Sequence, residues 1–153
     1  MRTVRPIRAR EWGDAMAMTW RVFLRFEADE YTTEGIDKFY RFITDDVLYM
    51  MFKQGEYRIF GCFENEKIIG LISVRDKNHI SLLFVDENYQ HQGIGAALIR
   101  YMCDYLLTVG GQTFTTVDAS PYAVGFYHRM GFVDTDRQKC KNGIKYTPMK
   151  FFL

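Results

Sequence analysis

Residues 90–96 read Gln-His-Gln-Gly-Ile-Gly-Ala and are followed at once by apolar residues at helical spacing. The first N–H groups of a helix have no partner within it, and the helix dipole adds about half a positive charge at that end. Glycine lets a ligand approach the backbone closely, so Gly93 and Gly95 predict an anion-binding turn before a helix. The plainer alternative for two such glycines is an ordinary tight turn.

A dinucleotide-binding turn is a second alternative for this segment. It requires a third glycine three residues after Gly95 and an acidic residue about twenty positions further on. Position 98 is Leu98, and the segment lies in mid-chain rather than in an opening strand–helix–strand unit. The sequence therefore favours a phosphate-binding turn of another kind.

A second segment places a phenol on a short helix over residues 120–130. Ser120 and Pro121 predict its start, because serine accepts from the free amides and proline fits the first helical position. Gly131 suits the left-handed residue beyond its end. The apolar face of this helix carries Ala123, Phe126, Tyr127 and Met130. Tyr127 therefore points toward the protein, where a core tyrosine is the plain alternative to a catalytic one.

The remaining apolar patterns predict one layered domain for the 153 residues. Runs rich in β-forming residues predict strands over 2–8, 57–63, 68–74, 79–85, 112–118, 132–138 and 144–152. Spacings of three and four predict helices over 12–26, over 36–43 with Thr32 or Thr33 as cap, over 44–52, and from Ile94 to a stop at 110–111. This order of elements indicates the α+β or α/β class.

Composition and charge exclude several classes of protein. The net charge is +1 without a basic run, which argues against a nucleic-acid partner. Cys62, Cys103 and Cys140 are widely spaced, so neither a zinc site nor an acyl-cysteine intermediate is expected. We expect a cytoplasmic protein, because the chain shows no signal-peptide pattern and no disulfide framework. No window approaches the roughly 20 apolar residues of a membrane span, so no membrane partner is expected.

Both motifs resemble those of the GNAT superfamily of N-acetyltransferases. The loop of that family is written Gln/Arg-x-x-Gly-x-Gly/Ala, and the residues that fill it here are Gln90, Gly93, Gly95 and the following Ala96. The family's helix segment reads Asn-x-x-Ala-x-x-Phe-Tyr-x-x-x-Gly-Phe, and the residues that agree are Ala123, Phe126, Tyr127, Gly131 and Phe132. Ser120 stands where asparagine is common.

The resemblance implies a GNAT-type acyl-CoA N-acyltransferase fold, a mixed twisted sheet flanked by helices, in a single domain over residues 1–153. It implies acetyl-CoA as co-substrate and no metal. In that family the loop amides hold the CoA pyrophosphate and the strand before the loop binds the pantetheine arm. The matching cofactor-binding positions are Phe84, Val85, Gln90, His91, Gln92, Gly93, Ile94, Gly95, Ala96 and Ser120. Tyr127 matches the tyrosine that protonates the departing thiolate, and a phenol titrating near ~10 is protonated at neutral pH.

The resemblance also implies a primary amine as acceptor, on a small molecule or a protein, attacking directly in a ternary complex. An amine with a pKa near ~10.4 is almost fully protonated at neutral pH, so the reaction needs a proton acceptor. The candidates for this base are His79, Glu27, Asp29, Glu30 and Asp118. Polar strand ends and solvated helix ends are their plain alternatives. A non-catalytic acyl-CoA-binding sensor with the same fold stays open, as does a homodimer by analogy with small members.

Overall fold

The computed structural model describes all of residues 1–153. Five helices flank one sheet, and they span Trp12–Phe26 (α1), Thr33–Ile43 (α2), Asp46–Lys53 (α3), Ile94–Thr108 (α4) and Val124–Arg129 (α5). The strands span Arg2–Pro6 (β1), Arg58–Glu64 (β2), Lys67–Arg75 (β3), His79–Val85 (β4), Phe114–Ala119 (β5), Val133–Asp134 (β6), Lys139–Lys141 (β7) and Ile144–Phe152 (β8). Single 3-10 turns over Ala9–Glu11 and Ala28–Glu30 flank α1.

The strands form a mixed sheet in the order β1-β2-β3-β4-β5-β8-β6, and β7 pairs with β8 as a hairpin. Every neighbouring pair is antiparallel except β4 and β5. The edge position of β1 suits Pro6, because proline cannot donate to a ladder on both sides. The mixed sheet flanked by helices confirms the predicted fold class.

β4 and β5 begin side by side and then separate. Their parallel pairing ends at Ile80 and Val117. On its other side β4 stays paired with β3 as far as Val85. The second half of β4 therefore has one free backbone edge, and a cleft opens between the two strands.

Each face of the sheet carries its own hydrophobic core. On one face α4 buries Ile94, Leu98, Ile99, Met102 and Leu106. On the other face α1 buries Ala15, Met16, Met18, Thr19, Val22 and Phe23. Each large apolar side chain that is fully buried contributes about 1.5–3 kcal/mol, so both helices are fixed firmly on the sheet. None of the helices is long and apolar enough to cross a membrane.

The start of α5 differs from the prediction. The helix expected from Ser120 begins at Val124. The carbonyl of Ser120 accepts the N–H groups of Ala123 at 2.9 Å and of Val124 at 3.1 Å, and so closes a turn before the helix begins. Ser120 is therefore not the cap of α5, and its hydroxyl is free to face another part of the protein.

The C-terminal strands also differ from the prediction. The strand expected over 132–138 is reduced to β6, and the N–H of Thr135 makes a last bond to the carbonyl of Pro148 at 2.9 Å. An unpredicted strand, β7, follows and forms the hairpin with β8. Residues 134–143 are mostly polar and give no alternating apolar signal, so this hairpin could not be seen in the sequence.

Candidate active site

The N-terminus of α4 is open, as the glycines of residues 90–96, here called the amide turn, predict. Gly93 precedes the helix with a φ of +79°, and no side chain caps it. A Cβ atom at Gly93 would meet no atom within 4 Å, so the left-handed backbone rather than packing calls for glycine. The N–H groups of residues 94–96 donate to no other protein group and remain free for an anion.

Two glutamines of the amide turn bind in different directions. The Nε2 of Gln90 donates to the carbonyl of Val85 at 2.6 Å, which holds the turn against the end of β4. Gln92 instead accepts a hydrogen bond from Arg2 on the edge strand. Gln92 thus links the amide turn to β1, while Gln90 links it to β4.

Gly95 brings the two sequence motifs together. A Cβ atom at this position would lie 3.2 Å from the ring of Phe126 on α5. Real side chains rarely tolerate so short a distance to a ring that is itself packed. The missing side chain therefore lets α5 pack directly on the first turn of α4, which brings the amide turn and α5 together.

A cavity of about 440 Å³, here called the large cavity, extends from the amide turn along β4. Eight of the ten predicted cofactor-binding residues line it: Phe84, Val85, Gln90, His91, Gly93, Ile94, Gly95 and Ala96. Gln92 and Ser120 do not line it. The C-terminal end of α1 and the segment 122–129 supply the opposite wall.

Phe26, Tyr122 and Arg129 line the large cavity but were not predicted from the sequence as site residues. Phe26 and Tyr122 stack with their ring centroids 5.8 Å apart and their planes at 22°. Arg129 is exposed and is the only lysine or arginine in the lining. It follows Phe126 by three residues, so helical spacing could have placed it on the same face. Its guanidinium gives the large cavity a fixed positive charge.

A second cavity of about 80 Å³, here called the small cavity, lies between the diverging ends of β4 and β5. Its walls include residues 80–84 and 117–120, together with Tyr31, Phe39 and Tyr127. Ser120 therefore lines this cavity and not the large one. The residues that line both cavities are Glu27, Leu83, Phe84 and Ala123. The two cavities thus adjoin at the end of α1.

Tyr127 is buried, with 3% of its surface exposed, and its ring lines the small cavity. The rings of Phe126 and Phe132 pack edge-on against it, with centroids 5.5 Å and 5.1 Å away. Burial, and to a lesser extent the carboxylate of Glu27, raise the pKa of Tyr127 above its ordinary value. The phenol is therefore protonated at neutral pH and can donate to a group in the cavity.

The three acidic residues that follow α1 have different surroundings. Glu27 is 9% exposed and lines both cavities. Burial raises its pKa to about 7, the hydroxyl of Ser120 opposes this rise, and Glu30 adds to it. Asp29 is exposed and lines neither cavity. Glu30 accepts a hydrogen bond from the backbone N–H of Tyr122 at 3.1 Å, which ties residues 27–30, here called the acidic turn, to the chain before α5.

The two remaining candidate bases lie on the strands beside the cleft. Asp118 lines the small cavity, and 45% of its side chain is exposed. Its Oδ2 lies 3.6 Å from Nε2 of His79. His79 lines neither cavity. Its Nδ1 is bound to Oγ1 of Thr116 at 2.7 Å, and burial lowers its pKa. His79 lies outside both cavities at the start of β4.

The histidine, cysteine and acidic residues form no metal-binding cluster, and the cysteines lie away from the cavities. No three histidine, cysteine or acidic side chains lie close enough together to hold a metal ion. None of the three cysteines lines either cavity. Burial raises the pKa of Cys62, and raises that of Cys103 to about 11, so neither thiol is activated.

Solved structures share this fold. A GCN5-related N-acetyltransferase from Rhodopseudomonas palustris superimposes with a TM-score of 0.83 at 23% identity, over 99% of this chain and 95% of that one. The PaiA N-acetyltransferase of Thermoplasma acidophilum, in complex with coenzyme A, superimposes with a TM-score of 0.82 at 16% identity. The match covers 100% of this chain and 99% of that one. The spermidine N-acetyltransferase of Vibrio cholerae, in complex with CoA and spermine, superimposes with a TM-score of 0.70 at 16% identity. The match covers 99% of this chain and 95% of that one.

The sequence comparisons assign the family. The family model described as acetyltransferase (GNAT) domain matches residues 27–153. An uncharacterized N-acetyltransferase of Escherichia coli K12, YafP, is 30% identical over 87 residues, which cover 57% of this chain and 53% of that protein. The match thus spans about half the length of this curated relative. The chain belongs to the GNAT acetyltransferase family, as its two motifs predicted.

Proposed function

We propose that this protein transfers an acetyl group from acetyl-CoA to a primary amine by direct attack in a ternary complex, with Tyr127 as the general acid. One observation carries the proposal. The free amides of the amide turn line the large cavity, and the buried phenol of Tyr127 lines the small cavity that adjoins it. A ligand anchored by phosphate at the turn and extended along β4 thus ends beside the phenol.

The large cavity offers suitable partners to each part of acetyl-CoA. The free N–H groups of residues 94–96 and the guanidinium of Arg129 suit the phosphates. The free edge of β4 suits the amide groups of the pantetheine arm, which pair with it as an added strand does. The carbonyl of Val85 already accepts from Gln90, so the arm binds the other backbone groups of this edge.

The reaction is a nucleophilic acyl substitution. The amine nitrogen attacks the carbonyl carbon of the thioester, the C–N bond forms, and the C–S bond breaks with its electron pair on sulfur. Tyr127 donates its hydroxyl proton to that sulfur. Burial keeps the phenol protonated until the thiolate forms, so its proton is available as the C–S bond breaks.

The relatives support both halves of the proposal. Coenzyme A is bound in the Thermoplasma structure, and coenzyme A and spermine are bound in the Vibrio structure. Those two proteins share 16% of their residues with this chain, so they support the class of ligand and leave the acceptor itself to experiment. The buried carboxylate of Glu27 at the junction of the cavities suits a cationic amine.

Two measurements test the proposal. Calorimetric titration should show binding of acetyl-CoA and none of NADH, since the turn lacks a dinucleotide motif. A thiol-reactive dye should then detect free CoA released when a panel of primary amines, spermidine included, is added. Acetyl-CoA binding without CoA release from any amine would favour an acyl-CoA sensor. Absence of binding would overturn the whole assignment.

A further inference from the structure

We propose that Glu27 is the general base of this reaction and takes a proton from the ammonium group of the acceptor before its nitrogen attacks. The assignment rests on the proposed function, because it requires an amine beside a bound thioester. Glu27 is the only acidic residue that lines both cavities. It therefore stands where an amine in the small cavity meets a thioester that reaches it through the large one.

The fold holds Glu27 at this junction but gives it no cationic partner. Its backbone N–H donates to the carbonyl of Phe23 at 2.9 Å, which fixes the residue at the end of α1. Only 9% of the residue is exposed, and no lysine, arginine or histidine is among the groups that act on its carboxylate. A buried carboxylate without a cation lowers stability, and such groups are characteristic of functional sites.

The groups that act on the carboxylate of Glu27 are acidic or neutral, and the two basic residues that line the large cavity, His91 and Arg129, are not among them. Those that titrate are Glu30, Tyr31, Tyr122, Tyr127 and, across the small cavity, Asp118. The hydroxyl of Ser120 is the one group among its neighbours that favours the charged form. The small cavity has no cationic residue in its lining, so an ammonium group bound there would be attracted to the carboxylate in a medium of low dielectric constant.

The acidity of Glu27 also suits this role. A general base works best when its pKa lies near the operating pH, and burial raises the pKa of Glu27 to about 7. None of the four other candidates lines both cavities, and Asp29 and Glu30 line neither. Asp118 lines only the small cavity and is nearly half exposed, whereas His79 lines neither cavity.

The protons balance over one turnover. The carboxylate of Glu27 takes the first proton from the ammonium, and the neutral nitrogen attacks the thioester carbon. Tyr127 protonates the sulfur as the C–S bond breaks. The second proton that the nitrogen loses on becoming an amide restores the Tyr127 hydroxyl. Glu27 releases its proton to solvent, so each turnover yields amide, free CoA and one proton.

The pH dependence of kcat/KM for the amine tests this assignment in Glu27→Gln. The unaltered protein should level off above about pH 7, because ionised Glu27 accepts the proton of the ammonium form. Glu27→Gln can use only neutral amine, so its kcat/KM should rise about tenfold per pH unit up to the pKa of the amine. At neutral pH we expect kcat/KM of the variant to be on the order of 10²-fold lower than that of the unaltered protein.

Controls separate this assignment from the proposed function. Glu27→Asp keeps a carboxylate and should keep the plateau at a lower rate, while Asp29→Asn removes the same charge from an exposed neighbour and should leave the profile unchanged. Acetyl-CoA affinity should stay within about threefold in all variants. A Glu27→Gln profile that levels off like that of the unaltered protein would overturn the assignment and leave the proposed function standing. No turnover of any amine by the unaltered protein would refute both.

Discussion

The backbone N–H of Thr32 donates a hydrogen bond to the carbonyl of Gly143 at 3.3 Å. This bond joins the turn of the β7–β8 hairpin to the start of α2, a few residues after Glu27 in the chain. Gly143 has a φ of +77°, and a Cβ atom there would lie 1.9 Å from Oγ1 of Thr32. The hairpin therefore packs on the chain next to Tyr31, which lines the small cavity, and this contact requires glycine at position 143.

Gly143→Ala should weaken binding of the amine and leave binding of acetyl-CoA unchanged. The new methyl group must move either the hairpin or Thr32, while neither of these lines the large cavity. We expect KM for the amine to rise roughly 5- to 10-fold at unchanged acetyl-CoA affinity. Gly111→Ala is the control, since it has a φ of +65° and open space around it. An equal effect of both substitutions would show that strain alone is responsible.

Gly93→Ala should weaken acetyl-CoA binding about tenfold or more, because the added carbon projects into the space where the phosphates bind and strains the left-handed backbone. Gly55→Ala is a matched control with a φ of +81° and no atom within 4 Å, away from both cavities. Both should lose roughly 1–2 kcal/mol of stability, which thermal unfolding would compare. Calorimetric titration would decide the question, and equal affinity in both variants would place the phosphate site elsewhere.

Tyr127→Phe should leave acetyl-CoA affinity nearly unchanged and lower kcat by about 10²-fold or more, since the ring still packs but no proton reaches the sulfur. Steady-state release of CoA with a saturating amine would measure this. Tyr101→Phe is the control, because Tyr101 packs against Phe60 outside both cavities and should keep full activity. Unaltered kcat in Tyr127→Phe would refute the role of general acid.

The sequence was most informative where function depends on local backbone. The amide turn follows from glycines next to a helix, so its position and the burial of Tyr127 could be predicted. The cleft could not be predicted, because the separation of β4 and β5 depends on elements far apart in the chain. The hydroxyl of Ser120 was misassigned for a similar reason. Its carbonyl closes a turn, and its side chain faces Glu27 instead of capping α5.

The acidic turn shows what helical spacing could still have revealed. Three acids occur within residues 27–30, and composition alone treats them as one solvated cluster. Thr19, Phe23 and Glu27 are spaced by four, so Glu27 continues the buried face of α1. Asp29 and Glu30 lie in the 3-10 turn beyond it and leave that face. The depth at which Glu27 is buried depends on α5 and β4, and these only the folded chain brings together.

Glu27→Gln should stabilise the protein in a pH-dependent way. Glu27 titrates at about 7 in the folded state against an ordinary 4.5, so its contribution to stability is complete below pH 4.5 and is lost as the pH rises through 7. Glutamine cannot ionise and avoids that loss. The variant should therefore match the unaltered protein near pH 4 and exceed it by on the order of 3 kcal/mol at pH 8.

Thermal unfolding at both pH values measures this difference, which corresponds to a rise in Tm of roughly 5–10 °C at the higher pH for a chain of this size. Asp29→Asn should show no such dependence, because its carboxylate is exposed. A gain in stability at pH 8 together with a loss of turnover would indicate that the carboxylate is kept for chemistry at the expense of the fold. A stability difference between the two proteins that does not change with pH would mean that Glu27 is solvated when ionised. It would contradict the assignment of Glu27 as the general base.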